Sequence, residues 1–103
     1  MAANEFKTAA RVDDVPAGTV KAVEVDGVEL ALAHCDGGFY ATQGHCLHLG
    51  GPLGEGSLDG CVLTCPWHGW QYDVRTGENE FDHAIRLETY EVQVEDGEVK
   101  VAV

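Results

Sequence analysis

Basic residues are scarce in this chain: six Lys plus Arg stand against eighteen Asp plus Glu in 103 residues, a net charge of −12. A field of that sign repels phosphate backbones and anionic bilayers, which excludes nucleic acid and membrane surfaces as partners and favours a protein with a basic face. Long apolar runs are missing too. Nothing approaches the roughly 18 residues of a membrane span, and the N-terminus lacks the apolar segment of a secretory leader, so the expected address is cytoplasmic. Helical periodicity is also wanting: no window carries apolar residues at i, i+3, i+4 and i+7 between caps, leaving only a short turn near residues 13–17. At 103 residues the chain has room for a single domain, 1–103, because domains usually run to about 100–150 residues. Disorder is excluded in turn, since 45% of the side chains are apolar and can bury enough surface to offset chain entropy.

What is present reads as β-structure. Asp-Gly pairs stand at 26–27, 36–37, 59–60 and 96–97, each between short apolar or alternating runs, the pattern of tight turns between antiparallel strands. Expected strands cover residues 19–25 and 28–34, 39–42, 61–64, 70–73, 89–95 and 98–103; in the last, Val99, Val101 and Val103 share one face. The fold class is all-β, a small antiparallel β-sandwich. Glycine is concentrated unevenly, with Gly44, Gly50, Gly51, Gly54, Gly56, Gly60 and Gly69 in one stretch, which marks a place where backbone must come close to something.

Within that stretch lie Cys46-Leu47-His48 and Cys65-Pro66-Trp67-His68, so two Cys-His pairs on two loops can close on one inorganic centre. Thiolates and imidazoles suit soft or borderline transition metals, and a short loop bearing one of each delivers two ligands at little further entropy cost. A tetrahedral zinc site uses the same four ligand types. With the Gly50-Gly51-Pro52-Leu53 run, the Cys65-Pro66-Trp67-His68-Gly69-Trp70 box and the Asp73-Val74-Arg75-Thr76-Gly77 tail, the motif resembles the Rieske iron-sulfur proteins over essentially the whole chain. The resemblance implies a [2Fe-2S] cluster with Cys46 and Cys65 on one iron and His48 and His68 on the other, held in a cluster-binding subdomain inserted at about residues 43–73. Replacing two thiolates by neutral imidazoles makes the oxidised centre uncharged, which eases addition of an electron and raises the potential from about −400 mV to between about −150 and +300 mV.

High-potential respiratory members carry two further cysteines at positions that are Gly51 and Trp67 here, and a serine where this chain has Trp70. Fewer donors to the sulfurs mean a less stabilised reduced state, so a potential in the lower third of the range is expected; Tyr72 matches a hydroxyl that those members aim at a cysteine sulfur. The chain is more similar to the small soluble ferredoxins of bacterial aromatic ring-hydroxylating dioxygenases. That likeness implies a monomeric one-electron carrier and not an enzyme, with a flavin-dependent ferredoxin reductase and a terminal oxygenase as partners. The Rieske-type small subunit of a nitrite reductase or of another oxidoreductase is the alternative. From 44 to 72 there is no Lys or Arg and the acids are Glu55 and Asp59, so an apolar tip is expected beside an acidic body that steers encounter.

The remaining residues read more plainly. Motif spacing favours His48 over His45 as ligand, and His34 and His83 read as surface or turn residues. Asp82-His83 lacks the further ligands of a mononuclear iron site. Cys35 and Cys61 are expected as partly buried free thiols, because cytosolic reductants keep thiols open, with a mutual disulfide as the alternative. Trp70 and Tyr72 fit equally as core residues beneath the cluster, Leu30, Leu32 and the C-terminal valines as core, and residues 78–82 as a solvated acidic loop.

Overall fold

The computed structural model describes residues 6–46, 50–67 and 69–103; His48 and His68 lie outside the described residues. Among the described residues, ten strands follow in order: β1 Phe6–Arg11, β2 Thr19–Val25, β3 Val28–Cys35, β4 Gly38–Gln43, β5 Ser57–Asp59, β6 Val62–Thr64, β7 Gln71–Asp73, β8 Thr89–Tyr90, β9 Val92–Glu95 and β10 Glu98–Ala102. They form three antiparallel sheets, β1-β10-β9, β2-β3-β4-β8 and β5-β6-β7. The all-β expectation holds, with helix confined among the described residues to single 3-10 turns at Val12–Asp14 and Leu53–Glu55.

The Asp-Gly turns explain the hairpins. Asp26-Gly27, Asp36-Gly37 and Asp96-Gly97 all have both residues at positive φ, between 52° and 81°, the conformation whose twist matches that of the flanking strands. The fourth pair behaves differently. Asp59 pairs with Val62, so the two central residues of the β5–β6 turn are Gly60 and Cys61, with Gly60 at φ 61°. Cys61 therefore sits in a turn one residue before the strand it was expected to open. The expected strand over 89–95 also divides, because β8 pairs with β4 while β9 pairs with β10 and Glu91 is the corner between sheets.

Period-2 alternation places the cores. On β3, Leu30 and Leu32 point into one apolar cluster with Val25, Ala41, Val99 and Val101, between the four-stranded sheet and β1-β10-β9. Ala31, Ala33 and Cys35 point the opposite way, into a second cluster with Cys46, Leu53, Leu63, Cys65, Tyr72, Val74 and Leu87. The middle sheet is thus buried on both faces, which is why β3 reads as the near-continuous apolar run Leu30-Ala31-Leu32-Ala33. Each fully buried Leu or Val contributes about 1.5–3 kcal/mol.

Cys35 and Cys61 are joined in a disulfide, against the expectation of free thiols, with Cα atoms 5.4 Å apart and the two residues 26 positions apart in sequence. The reason is geometric: the β3–β4 turn and the β5–β6 turn meet at one edge of the second core. Their bridge ties the middle sheet to the small sheet.

Candidate metal centre

Both expected cysteine ligands are buried, Cys46 at 4% exposure and Cys65 at 1%, and neither takes part in the Cys35–Cys61 disulfide. Each begins a loop that closes on its own backbone. In the first, Cys46 N donates to Gly51 O at 2.8 Å and Gly50 N donates back to Cys46 O at 2.9 Å. In the second, carried by the β6–β7 hairpin, Cys65 N donates to Trp70 O at 2.7 Å. The cysteines of the two loops come together: the Cys46 thiol lies within hydrogen-bonding reach of Cys65.

The glycine clustering has its explanation at Gly51. A Cβ built there would fall 2.8 Å from Cys65 Sγ and 3.0 Å from Trp67 Cγ, closer than side chains pack, so the first loop can lie against the second only with bare backbone. The same residue makes the supplementary disulfide of the respiratory branch impossible, for Gly51 and Trp67 fill its place. Donors surround the sulfurs instead. The Tyr72 hydroxyl is 3.2 Å from Cys46 Sγ, and Trp67 N donates to Cys65 Sγ at 3.4 Å. Burial pushes the Cys65 thiol above its ordinary pKa and the neighbouring Cys46 adds to that, while the Trp67 N–H acts in the opposite sense. Burial thus disfavours a bare Cys65 thiolate.

Tyr72 is fully buried, so it is at once core and sulfur partner. Trp70 is half-buried and meets Phe81 edge-on, ring centroids 5.4 Å apart. His45 turns to Glu29, with Nε2 3.2 Å from its carboxylate, at a cleft of about 340 Å³ that Glu24 and Glu55 also line. His34 corrects the surface assignment: it is half-buried, its Nδ1 is 2.7 Å from Val15 O and its ring stacks on Phe39 at 4.0 Å. His83 is exposed, and the Asp82 carboxylate accepts from Ala84 N at 3.0 Å in a local turn.

Residues 78–82 are more than a solvated loop. Asn79 is fully buried and its Oδ1 accepts from Phe81 N at 3.0 Å and Asp82 N at 3.1 Å, which fixes the loop and sets Phe81, 69% exposed, against Trp70. Sequence reasoning passed over Asn79; the available signal was an Asn two and three residues before the amides it caps, a familiar side-chain turn. Glu78 is held by Arg86 at 2.9 Å and its carboxyl titrates below the ordinary range because of that bond.

Among the described residues, three antiparallel sheets carry two buried cysteines on paired, glycine-lined loops, an arrangement of the class of small β-proteins that could hold a metal through sulfur. The comparisons name the family. The Rieske [2Fe-2S] domain matches residues 5–91. The ferredoxin component of naphthalene 1,2-dioxygenase/salicylate 5-hydroxylase systems of Ralstonia is 38% identical over 88 residues, 84% of this chain and 85% of that protein. Ferredoxin CarAc of Metapseudomonas resinovorans is 40% identical over 91 residues, 86% and 85% of the two chains. Among solved structures, a chain of the complex of reduced oxygenase and oxidized ferredoxin in carbazole 1,9a-dioxygenase superposes with a TM-score of 0.85 at 36% identity, covering 94% of this chain and 92% of that one. This chain belongs to the Rieske [2Fe-2S] domain family, and its cofactor is a Rieske-type [2Fe-2S] cluster. The residues present fit that group: two soft sulfur donors converge, and Gly51 leaves the space that a side chain would fill.

Proposed function

We propose that this chain is the ferredoxin component of a multicomponent aromatic-ring dioxygenase, taking electrons one at a time from a flavin-dependent reductase and passing them to a terminal oxygenase. Cys46, His48, Cys65 and His68 would hold the [2Fe-2S] cluster, in a cluster-binding unit of about residues 43–73. When bound, that group supplies a one-electron couple of the kind that two-His, two-Cys ligation raises above ordinary ferredoxin potentials.

The observation that carries the reading is the convergence of two buried cysteines directly behind an exposed apolar front. Trp67 is 48% exposed beside exposed Pro66, with Phe81 standing next to Trp70, so a partner's surface can approach the sulfur donors closely while water is excluded at contact. Tyr72 and the Trp67 amide donate toward the sulfurs and stabilise added negative charge. With one side-chain hydroxyl at Cys46 and Gly51 packed where the respiratory disulfide would be, the potential belongs in the lower third of the Rieske range, near or below about 0 mV. The charge of −12 steers encounter with a basic partner face, and the apolar front lets the complex separate after transfer.

The test is paramagnetic resonance of the dithionite-reduced protein followed by reconstitution with a flavin reductase and a ring-hydroxylating oxygenase. A Rieske-type spectrum and product formation dependent on this chain are expected. A colourless, zinc-containing protein, or a redox-active one that cannot support any oxygenase, would overturn the reading.

A further inference from the structure

We propose that the Cys35–Cys61 disulfide is a thiol–disulfide exchange site, opened by a dithiol reductant of the thioredoxin class, and that opening it loosens the strand carrying Cys65. Cys61 and Cys65 stand at the two ends of β6, Val62–Thr64. Cys61 is fixed to Cys35 at the end of β3, and its carbonyl accepts from Val74 N at 2.9 Å beside the last strand of the small sheet. The bridge is therefore the covalent anchor of the hairpin that presents Cys65, and it lies in the same buried cluster as Cys46, Cys65, Leu63 and Tyr72.

The bridge is also reachable. A cleft of about 280 Å³ opens beside it, lined by Asp36, Gly60, Cys61 and Arg75. Gly60 leaves it open, since a Cβ there would meet nothing within 4 Å. Arg75, half exposed, brings positive charge to the rim for an incoming thiolate, although its guanidinium is shared with Asp73 at 3.0 Å. Cys61, at 9% exposure, lines this cleft and is the less buried residue of the pair, with Cys35 at 4%. The reductant's thiolate attacks Cys61 Sγ, the Cys35–Cys61 S–S bond breaks, and Cys35 leaves as a thiolate that takes up a proton. The reductant's second thiol then breaks the mixed disulfide. Cys61 is released as a thiol and the reductant becomes a disulfide, so two electrons and two protons have passed to the protein. An oxidant acting in the reverse direction restores the tie.

The experiment uses the holoprotein with dithiothreitol as the reductant. Unfolding in the presence of an alkylating agent should label Cys46 and Cys65 alone before reduction and all four cysteines after it. Reduction of the native protein should lower the melting midpoint by roughly 10–20 °C, the shift expected from losing a cross-link over a loop of this size. It should also speed the loss of iron to a chelator, and reoxidation should reverse both effects. A Cys35→Ala/Cys61→Ala variant should resemble the reduced protein and ignore dithiothreitol; if it fails to fold, the reduction and reoxidation of the wild type still decide. Four labelled cysteines before reduction overturn the proposal, and so does unchanged melting and iron loss once the thiols are freed. Because labelling reads the bridge without reference to electron transfer, an intact disulfide in a protein lacking the Rieske signal would sink the proposed function and leave this site standing.

Discussion

Replacing Tyr72 by Phe removes a single oxygen from a side chain with 0% exposure, and that oxygen is 3.2 Å from Cys46 Sγ. The ring still fills the same volume beneath the loops, so packing is nearly conserved, and full burial leaves no route for water to substitute as donor. The change therefore takes away the hydroxyl that faces the sulfur while keeping the ring. A bond to a charged acceptor contributes about 1.5–3 kcal/mol against about 0.5–1.5 for a neutral one, so the donor favours the more negative, reduced state by about 1 kcal/mol. With about 59 mV per tenfold change for a one-electron couple and about 1.36 kcal/mol per tenfold, that difference is about 40 mV.

The sign is fixed by which state carries more negative charge: losing the donor penalises reduction, so the potential of Tyr72→Phe should fall by about 40 mV. Spectroelectrochemical titration of the two proteins under identical buffer would read it, with the melting midpoint as a control that should move by a few degrees at most. An unchanged or higher potential in a folded, cofactor-replete variant would refute the reasoning. It would mean either that the hydroxyl does not donate to Cys46 or that Cys46 is not a ligand.

Other perturbations test other parts. Gly51→Ala places a methyl 2.8 Å from Cys65 Sγ; the loops must part, and iron content per chain should fall by more than half while far-ultraviolet circular dichroism stays β-like. Asp73 is held below its ordinary pKa, first of all by the Arg75 side chain, so its contribution to stability is present above about pH 4 and lost as pH falls through the lowered value. Asp73→Asn should therefore cost stability near neutrality and flatten the acid limb of the melting curve, and an acid limb identical to wild type would contradict this. Phe81→Ser should leave melting and potential unchanged because the ring is 69% exposed, yet raise the KM for the electron-accepting oxygenase several-fold; an unaltered KM would remove Phe81 from the contact surface.

Much of this was legible before any coordinates because it depends on local chemistry. Three of the four Asp-Gly pairs form the hairpin turns their local chemistry favours, and the alternation of Val99 and Val101 points one face of β10 inward at 0% exposure. The spacing of Cys46 and Cys65 also pointed to two loops that converge, and the structure brings those two cysteines together. What stayed hidden depends on how distant segments meet. Residues 89–95 read as one strand because nothing in their alternation reveals that Glu91 turns the chain from β4 to β10. Asn79 looked like one more polar residue in an acidic loop, and only burial shows that it caps two amides.

The disulfide is the clearest case: compartment chemistry favours free thiols over a mutual bridge, and the register that brings Cys61 to Cys35 is set by a turn that begins one residue away from the expected one. Read as the first residue of a strand, Cys61 would present its side chain with the period-2 alternation of β6, and nothing would bring it to Cys35. With Gly60-Cys61 as the turn, Asp59 pairs with Val62, and the sulfur projects from the hairpin end toward the β3–β4 turn. Gly60 is what allows this, since the first central position of a two-residue hairpin of this kind needs a positive φ that glycine adopts without strain. Gly60→Ala therefore bears on the bridge at a distance from both sulfurs: a Cβ meets no steric obstacle there, so any loss of Cys35–Cys61 pairing must come from backbone strain moving the turn. A fully formed bridge and unaltered melting in Gly60→Ala would show that the placement of Cys61 does not depend on that turn.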